Sequence, residues 1–363
     1  MTAADVAAEP TTVARTPVVY RPESAVFWVF LAALVIGILE LLESSAVAVH
    51  ETLDAQIALS PIWVGFIVFM IWLMLKFDPF RSVRAYAQVL VAGAALGGTT
   101  AVVMAMNGND ALSAVWSRVL APDTVTQWSA ALTAPFIEEA SKVLCAVVIL
   151  VLAARVLTRI SHALLLGMFV GFGFDVMEDL TYAANEAISS LDSDLSGAGS
   201  NLVLRILTAV PAHWAYTSLA TVGALLLLPS FAGRAQWPWP RRILVAGTLM
   251  FCASLMHFIW DSPTPGWDSG GLPTLMIKFA ANFAIFLIPV VLLLRAERRW
   301  VTERIDAERA GRLREFDAAV LDSLPTRRTR RQLQRQYRRD GGRQAKKAIG
   351  YQQNRALDAI QAG

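Results

Sequence analysis

The chain has 363 residues, of which 55% are hydrophobic and only 17% are charged, and its formal net charge is +3 at pH 7. This composition excludes a soluble globular domain and indicates a multi-pass membrane protein. The two cysteines, Cys145 and Cys252, both lie in apolar stretches, so they predict neither a disulfide framework nor a Cys-x-x-Cys metal site.

A polar N-terminal segment precedes a long apolar region. Residues 1–24 are rich in Thr, Ala and Pro and lack the pattern of a signal peptide, so we predict a disordered cytoplasmic tail. Residues 25–295 contain eight apolar runs near the length of about 20 residues that crosses a bilayer. They predict an all-α fold, a polytopic membrane helix bundle with about eight transmembrane helices. The runs are 26–47, 61–76, 85–106, 130–153, 162–182, 202–228, 243–260 and 274–294.

Positive charge is concentrated on one side of this predicted bundle. The connections on the opposite side contain only one basic residue, Arg118, among many acidic ones. The ten basic residues on the first side are Arg15, Arg21, Lys76, Arg81, Arg84, Arg155, Arg159, Arg234, Arg241 and Arg242. Because short connections rich in Lys and Arg stay in the cytoplasm, we predict a cell-membrane protein with both termini cytoplasmic.

A basic cytoplasmic tail is predicted at residues 296–363. Residues 295–363 contain 18 of the 32 Lys and Arg residues of the chain against nine acidic residues. The segment 296–322 mixes charged and apolar residues and predicts a surface helix that ends before Pro325, and 327–347 is a strongly basic run. We expect the tail to bind anionic lipid. No base-stacking pattern of aromatic residues accompanies the charge, so no specific nucleic-acid partner is expected.

The fourth run contains three ionisable residues in the sequence Glu138-Glu139-Ala140-Ser141-Lys142. Each such group inside a membrane helix costs about 2.5–3.5 kcal/mol on insertion scales. Helical spacing places Glu138 and Lys142 one turn apart and Glu139 next to Lys142, so one interpretation is a buried ion pair that joins helices. A simple ion pair needs only one carboxylate, so the presence of a second one favours a catalytic or binding role for these residues.

Three other runs contain polar residues at membrane depth. These polar residues are Glu178 in run five, Arg205 and His213 in run six, and His257 and Asp261 at the end of run seven. The predicted topology places Glu138 and His213 roughly 12 Å, and Glu178 and His257 roughly 6 Å, below the outer ends of their helices. We therefore predict that these groups form one site in the outer half of the membrane. Gly167, Gly171 and Gly173 are spaced for close helix contacts and are interpreted as packing glycines.

Four motifs in this order resemble those of the PrsW-type intramembrane proteases, which are related to the CAAX prenyl endopeptidases and the bacteriocin-processing membrane proteases. The resemblance covers about residues 130–262, and the family often has Asn where this chain has Asp179. It implies a protease that cuts a membrane-anchored protein, such as an anti-sigma factor or another single-pass protein, near the outer membrane face. The motifs are Glu138-Glu139-x-x-Lys142, Phe174-x-x-x-Glu178, Arg205 with His213, and His257-x-x-x-Asp261.

Peptide hydrolysis requires an activated water, stabilisation of the oxyanion and a proton donor for the leaving amine. We expect the catalytic groups to be Glu138, Glu139, Glu178, His213 and His257. Lys142, Arg205 and Asp261 are expected to orient or neutralise them. His213 and His257 would bind a divalent metal such as zinc, with a carboxylate as third ligand, or else would donate hydrogen bonds in a metal-free glutamate mechanism.

Two other functional classes also fit an intramembrane cluster of Glu, Lys and His residues. A proton-coupled transporter uses such residues along its ion pathway. A catalytically inactive membrane scaffold would keep them only for stability and would present the basic tail. Replacement of Glu138 separates these classes, because only a scaffold would respond through its stability alone.

Overall fold

The described residues, which are 18–266, 268 and 271–361 of a computed structural model, contain helices and no strand. This confirms the predicted all-α class. Residues 1–17 of the predicted N-terminal tail lie outside the described residues. The helices are α1 (Ala25–Met74), α2 (Ala87–Leu96), α3 (Val102–Val119), α4 (Pro122–Leu152), α5 (Ile160–Ser189), α6 (Asp194–Thr208), α7 (His213–Leu227), α8 (Trp239–Asp261), α9 (Leu272–Glu308), α10 (Ala318–Ser323) and α11 (Arg327–Gln361).

Several of these helices are suited to a membrane. Within the described residues, five helical stretches are long and apolar enough to cross a bilayer, judged by length and composition. They are Ala25–Phe77, Arg84–Val119, Ile160–Ser189, Trp239–Asp261 and Leu272–Glu308. These stretches support a multi-pass membrane helix bundle, although they are fewer than the eight predicted spans.

The first difference from the predicted spans lies in α1. Runs 26–47 and 61–76, predicted as two helices, form one continuous helix of 50 residues. At 1.5 Å per residue it is roughly 75 Å long, well beyond a hydrocarbon core of about 30 Å. The intervening residues 48–60 contain neither glycine nor proline, and Pro61 lies inside the helix without ending it. The predicted eight-span count therefore lacks support, and the side on which each terminus lies remains a prediction.

The second difference lies in run six, predicted as a single helix over 202–228. The structure breaks it into α6, which ends at Thr208, and α7, which begins at His213. Pro211 lies in the break, preceded by a cis peptide bond. Proline has no N–H to donate to a helix and its ring clashes with the preceding turn, which explains why the helix ends before it. The break places His213 at the start of a helix.

Helix α5 lies at the centre of the bundle and packs against α2, α6 and α7. Its residues Leu164, Leu165 and Leu166 are completely buried. A Cβ atom added at Gly167 would lie 2.6 Å from the carbonyl oxygen of Thr217 in α7, and one added at Gly171 would collide with the backbone of His213. Gly173 meets the backbone of Ala94 in α2 in the same way. The prediction of packing glycines is confirmed at all three positions.

The C-terminal segment forms a small helical unit with a hydrophobic core of its own. Its buried apolar residues come from the end of α9, from α10 and from α11, and Phe80, from the loop after α1, inserts among them. The predicted boundary between residues 295 and 296 lies inside α9, which continues to Glu308. The basic run 327–347 lies in α11, which is kinked at Gly341 and Gly342.

Candidate active site

The two adjacent glutamates of α4 are buried and paired with a lysine of the same helix. The Nζ atom of Lys142, which is completely buried, lies 2.7 Å from Oε1 of Glu139 and 3.5 Å from Oε2 of Glu138. It also lies 4.2 Å from the centroid of the Phe174 ring in α5. The intrahelical pairing predicted from the spacing is therefore confirmed. A cation between two carboxylates reduces the cost of keeping both charges away from water.

His213 is held at the first turn of α7 by a carboxylate of α5. The backbone N–H groups of His213 and Trp214 donate hydrogen bonds to the two carboxylate oxygens of Asp175 at 3.2 and 3.1 Å. These N–H groups have no partner within α7, so Asp175 acts as a helix cap from a neighbouring helix. The imidazole of His213 then reaches Nζ of Lys142 through Nδ1, at 2.6 Å, and Oε2 of Glu178 through Nε2, at 3.2 Å.

His257, on α8, faces both glutamates of α4. Its Nδ1 atom lies 3.1 Å from Oε1 of Glu139, and its Nε2 atom lies 3.7 Å from Oε2 of Glu138 and 3.3 Å from Oδ2 of Asp261. The ring centroids of His257 and His213 are 4.7 Å apart. The two imidazoles that the sequence analysis predicts in the outer half of the membrane are therefore in contact.

Glu178 joins the cluster to Arg205 of α6. The guanidinium of Arg205 lies 3.1 Å from Glu178 and 2.9 Å from Asp179, and it stacks on the ring of Tyr182 at 4.3 Å. Asp179 therefore supplies a second carboxyl group to Arg205. The structure thus connects all eight site residues predicted from the sequence in one network.

Three members of this network can hold a metal ion. One ligand atom each from Glu138, His213 and His257 lies within 4.8 Å of the others, and all three residues are buried. Two histidines and a carboxylate with a fourth position open are the donor set of many catalytic zinc sites. The donors also have outer partners: Asn109 donates a hydrogen bond to Oε1 of Glu138 at 3.0 Å, and Glu139 faces Nδ1 of His257. Such contacts orient metal ligands, so the residues present fit a divalent cation.

A cavity of about 570 Å³ opens beside this cluster, and we call it the active-site cavity. Glu138, Glu178, His213 and His257 all line it, whereas Glu139 does not. The carboxylate of Glu139 is instead occupied by Lys142, by His257 and by the hydroxyl of Thr217, which donates to it at 3.2 Å. The volume is that of a typical small-molecule site and accommodates a short stretch of extended peptide.

Sequence reasoning missed three residues of the site. Asn109 follows the third apolar run as one polar residue among several, and nothing in its spacing marks it. The hydroxyl of Thr217 lies in an apolar helix, where threonine is common. Asp175 stands next to Phe174 in a quoted motif, but its role as a cap depends on the break at Pro211, which the predicted continuous helix hid.

Comparisons with known proteins agree with this arrangement of residues. A family model described as PrsW family intramembrane metalloprotease matches residues 86–305, which is more than half of the chain and includes every residue of the cluster. No curated protein and no solved structure shows significant similarity to the chain.

Proposed function

The chain belongs to the PrsW family of intramembrane metalloproteases, and we propose that it is an endopeptidase that hydrolyses a peptide bond of a membrane-anchored protein. One observation carries the proposal. Two adjacent carboxylates of α4 meet imidazoles from α7 and α8, all buried, beside a cavity of about 570 Å³. Ionisable groups at membrane depth are costly, so a convergent set of them indicates function.

In this proposal Glu138, His213 and His257 hold a divalent metal, with zinc as the expected ion. When bound, such an ion lowers the pKa of a water molecule to about 7 and polarises the scissile carbonyl. Glu139 positions His257, because its carboxylate accepts a hydrogen bond from Nδ1–H and leaves Nε2 directed toward Glu138. The ammonium group of Lys142 offsets part of the negative charge of the two adjacent carboxylates.

Glu178 is the best-placed group for moving protons. It lines the active-site cavity, whereas Glu139 does not, and Arg205 holds its carboxylate at 3.1 Å. We assign it the role of general base that accepts a proton from the attacking water and returns it to the leaving amine. Of the two adjacent glutamates, which are both expected from the sequence to be catalytic, Glu138 is then a metal ligand and Glu139 a positioning residue. In a metal-free route Glu178 would keep this role while His213 donated to the oxyanion.

The side of cleavage and the partners follow from charge. We propose that both termini are cytoplasmic, because connections rich in Lys and Arg stay on the cytoplasmic side. We also propose that the cut lies in the outer juxtamembrane segment of a single-pass protein, because Glu138, Glu178 and His257 lie toward the outer, Arg-poor ends of their predicted helices. The substrate is then a membrane-anchored protein, and anionic lipid of the cytoplasmic leaflet binds the C-terminal segment. Residues 25–295 form the proteolytic domain in this account.

The test compares new protein termini in membranes that contain either the wild-type chain or Glu138→Gln, a change that preserves size. A protease predicts termini that appear only with the wild type, clustered in outer juxtamembrane segments. Cut sites on the cytoplasmic side would contradict the proposed orientation but would still support the protease activity. Identical termini with both proteins would contradict the protease assignment, and substrate-dependent proton flux through reconstituted protein would then favour the transporter.

A further inference from the structure

A second cavity, of about 490 Å³, lies between the end of α1, the middle of α9 and the segment that joins α10 to α11. We call it the α1–α9 groove. Its apolar wall includes Leu73 of α1, Phe77 in the turn after α1, and Leu287, Val291 and Leu294 of α9. No residue of the proposed proteolytic cluster lines it, so its role is separate from peptide hydrolysis.

The groove has an apolar part and a cationic end. Leu287, Val291, Arg295 and Arg298 repeat at spacings of four, four and three, so they lie along one face of α9. Along this face the apolar residues come first and the arginines follow, over roughly 16 Å at 1.5 Å per residue. A ligand that fits this order has a hydrocarbon chain joined to an anionic head.

The cationic end is formed by Lys76, Arg295, Arg298 and Arg327. In the part of the chain that the structure describes, no carboxylate lies within salt-bridge distance of any of them. Some other arginines of the C-terminal segment do form such pairs: Arg309 lies 2.6 Å from Asp322 and Arg312 lies 2.9 Å from Glu308. Four cations that line one groove and form no salt bridge favour an anionic ligand.

One contact favours a membrane interface at this end, and a second one connects this end to the C-terminal unit. The ammonium group of Lys76 lies 4.5 Å from the ring of the exposed Trp72, and aromatic and basic residues together typify the boundary of a bilayer. Arg327 donates a hydrogen bond to the backbone carbonyl of Lys76, which ties the C-terminal helical unit to the groove. Partial burial, followed by repulsion from Arg331, lowers the pKa of the Arg327 guanidinium, while attraction from Asp78 opposes this shift.

We propose that the α1–α9 groove is a binding site for one anionic phospholipid, with its phosphate at Lys76, Arg295, Arg298 and Arg327 and an acyl chain along Leu287, Val291 and Leu294. The apolar wall distinguishes this site from one for free phosphate, and the cations distinguish it from one for neutral lipid. It also differs from diffuse attraction of the basic tail, because Lys76 and Arg295 lie outside that tail. A lipid bound here bridges the membrane helices and the C-terminal unit.

The experiment measures the retention of phosphatidylglycerol on the full-length protein by native mass spectrometry, with phosphatidylcholine as the neutral probe. The double variant Arg295→Gln/Arg298→Gln is compared with the matched control Arg299→Gln/Arg314→Gln, which removes the same charge outside the groove. We expect about one tightly held phosphatidylglycerol per wild-type chain and binding weakened about tenfold or more in the groove variant only. Equal losses in both variants, or equal retention of phosphatidylcholine, would overturn the proposal.

A second variant tests the apolar part without a change of charge. Val291→Trp fills the groove and is expected to displace phosphatidylglycerol while all four cations remain. Inorganic phosphate at millimolar concentration is expected to leave the lipid adduct in place. Unchanged lipid retention in Val291→Trp, or displacement of the lipid by phosphate alone, would show that only the headgroup charge is bound and would contradict the proposed site.

Discussion

The Nδ1 atom of His257 lies 3.1 Å from Oε1 of Glu139, while its Nε2 atom faces Oε2 of Glu138 at 3.7 Å. Adjacent glutamates of one helix thus contact opposite nitrogens of one imidazole. A carboxylate that accepts a hydrogen bond from one ring nitrogen fixes the tautomer and frees the other nitrogen for a metal. The second glutamate, unnecessary for a simple ion pair, has a distinct structural role.

Glu139→Gln is predicted to act through metal binding. Because Glu139 contacts His257 and does not line the active-site cavity, its loss should weaken metal affinity about 10–100-fold, and excess metal should restore cleavage. The measurement is cleavage rate against free metal concentration. Glu186→Gln, at an exposed position on α5, is the matched control. If saturating metal failed to restore activity, Glu139 would itself be a catalytic group.

Glu178→Gln is predicted to behave in the opposite way. If Glu178 transfers protons, kcat should fall by about 10²-fold or more, and added metal should not restore it. The neighbouring Asp179→Asn is the control, because it also removes a carboxylate from Arg205 but leaves the base in place. A Glu178→Gln protein with full activity would remove this residue from the mechanism.

Asn109→Ala tests a residue that only the folded chain reveals. Its side-chain amide donates to Glu138, so the loss should misalign that carboxylate and weaken metal binding about tenfold or more. Asn107→Ala is the matched control, since Asn107 donates to the backbone of its own helix at Val103. Equal metal affinities in the two variants would show that the Asn109 contact has no positioning role.

Sequence patterns predicted much of this site because its key contacts obey helical spacing. The pairing of Lys142 with Glu138 and Glu139 depends only on positions three and four residues apart, and the glycines of α5 mark close helix contacts. The family match confirms the resemblance inferred from four ordered motifs. The ion pairs, the packing glycines and the motifs can be read from the sequence because each depends on residues close together in one helix or on the rarity of ionisable side chains in a membrane.

Contacts between residues that are far apart in the sequence could not be predicted in this way. The cap that Asp175 provides to α7 requires both a broken helix at Pro211 and a neighbouring helix at the right distance. The packing of Phe80 into the C-terminal unit likewise depends on contacts between distant segments. A hydropathy pattern reports apolar length, and it contains no information about such partners.

Gly171→Ala is predicted to disturb the site through packing alone. The new Cβ atom would collide with the backbone of His213, and overpacking of this kind typically costs about 1–3 kcal/mol. We expect a lower melting temperature and lower activity. Gly247→Ala on α8 is the control, because no atom lies within 4 Å of its added Cβ. Equal melting temperatures would contradict the close approach of α5 to α7.

The metal content of the purified protein tests the central claim most directly. The account predicts about one divalent ion per wild-type chain, lost in His213→Ala and in Glu138→Gln together with cleavage of a membrane-anchored reporter. His50→Ala, at an exposed position on α1, should retain both the ion and the activity. A wild-type protein that cleaves the reporter without bound metal, or a His213→Ala protein that keeps its ion, would contradict the assignment of Glu138, His213 and His257 as the metal ligands.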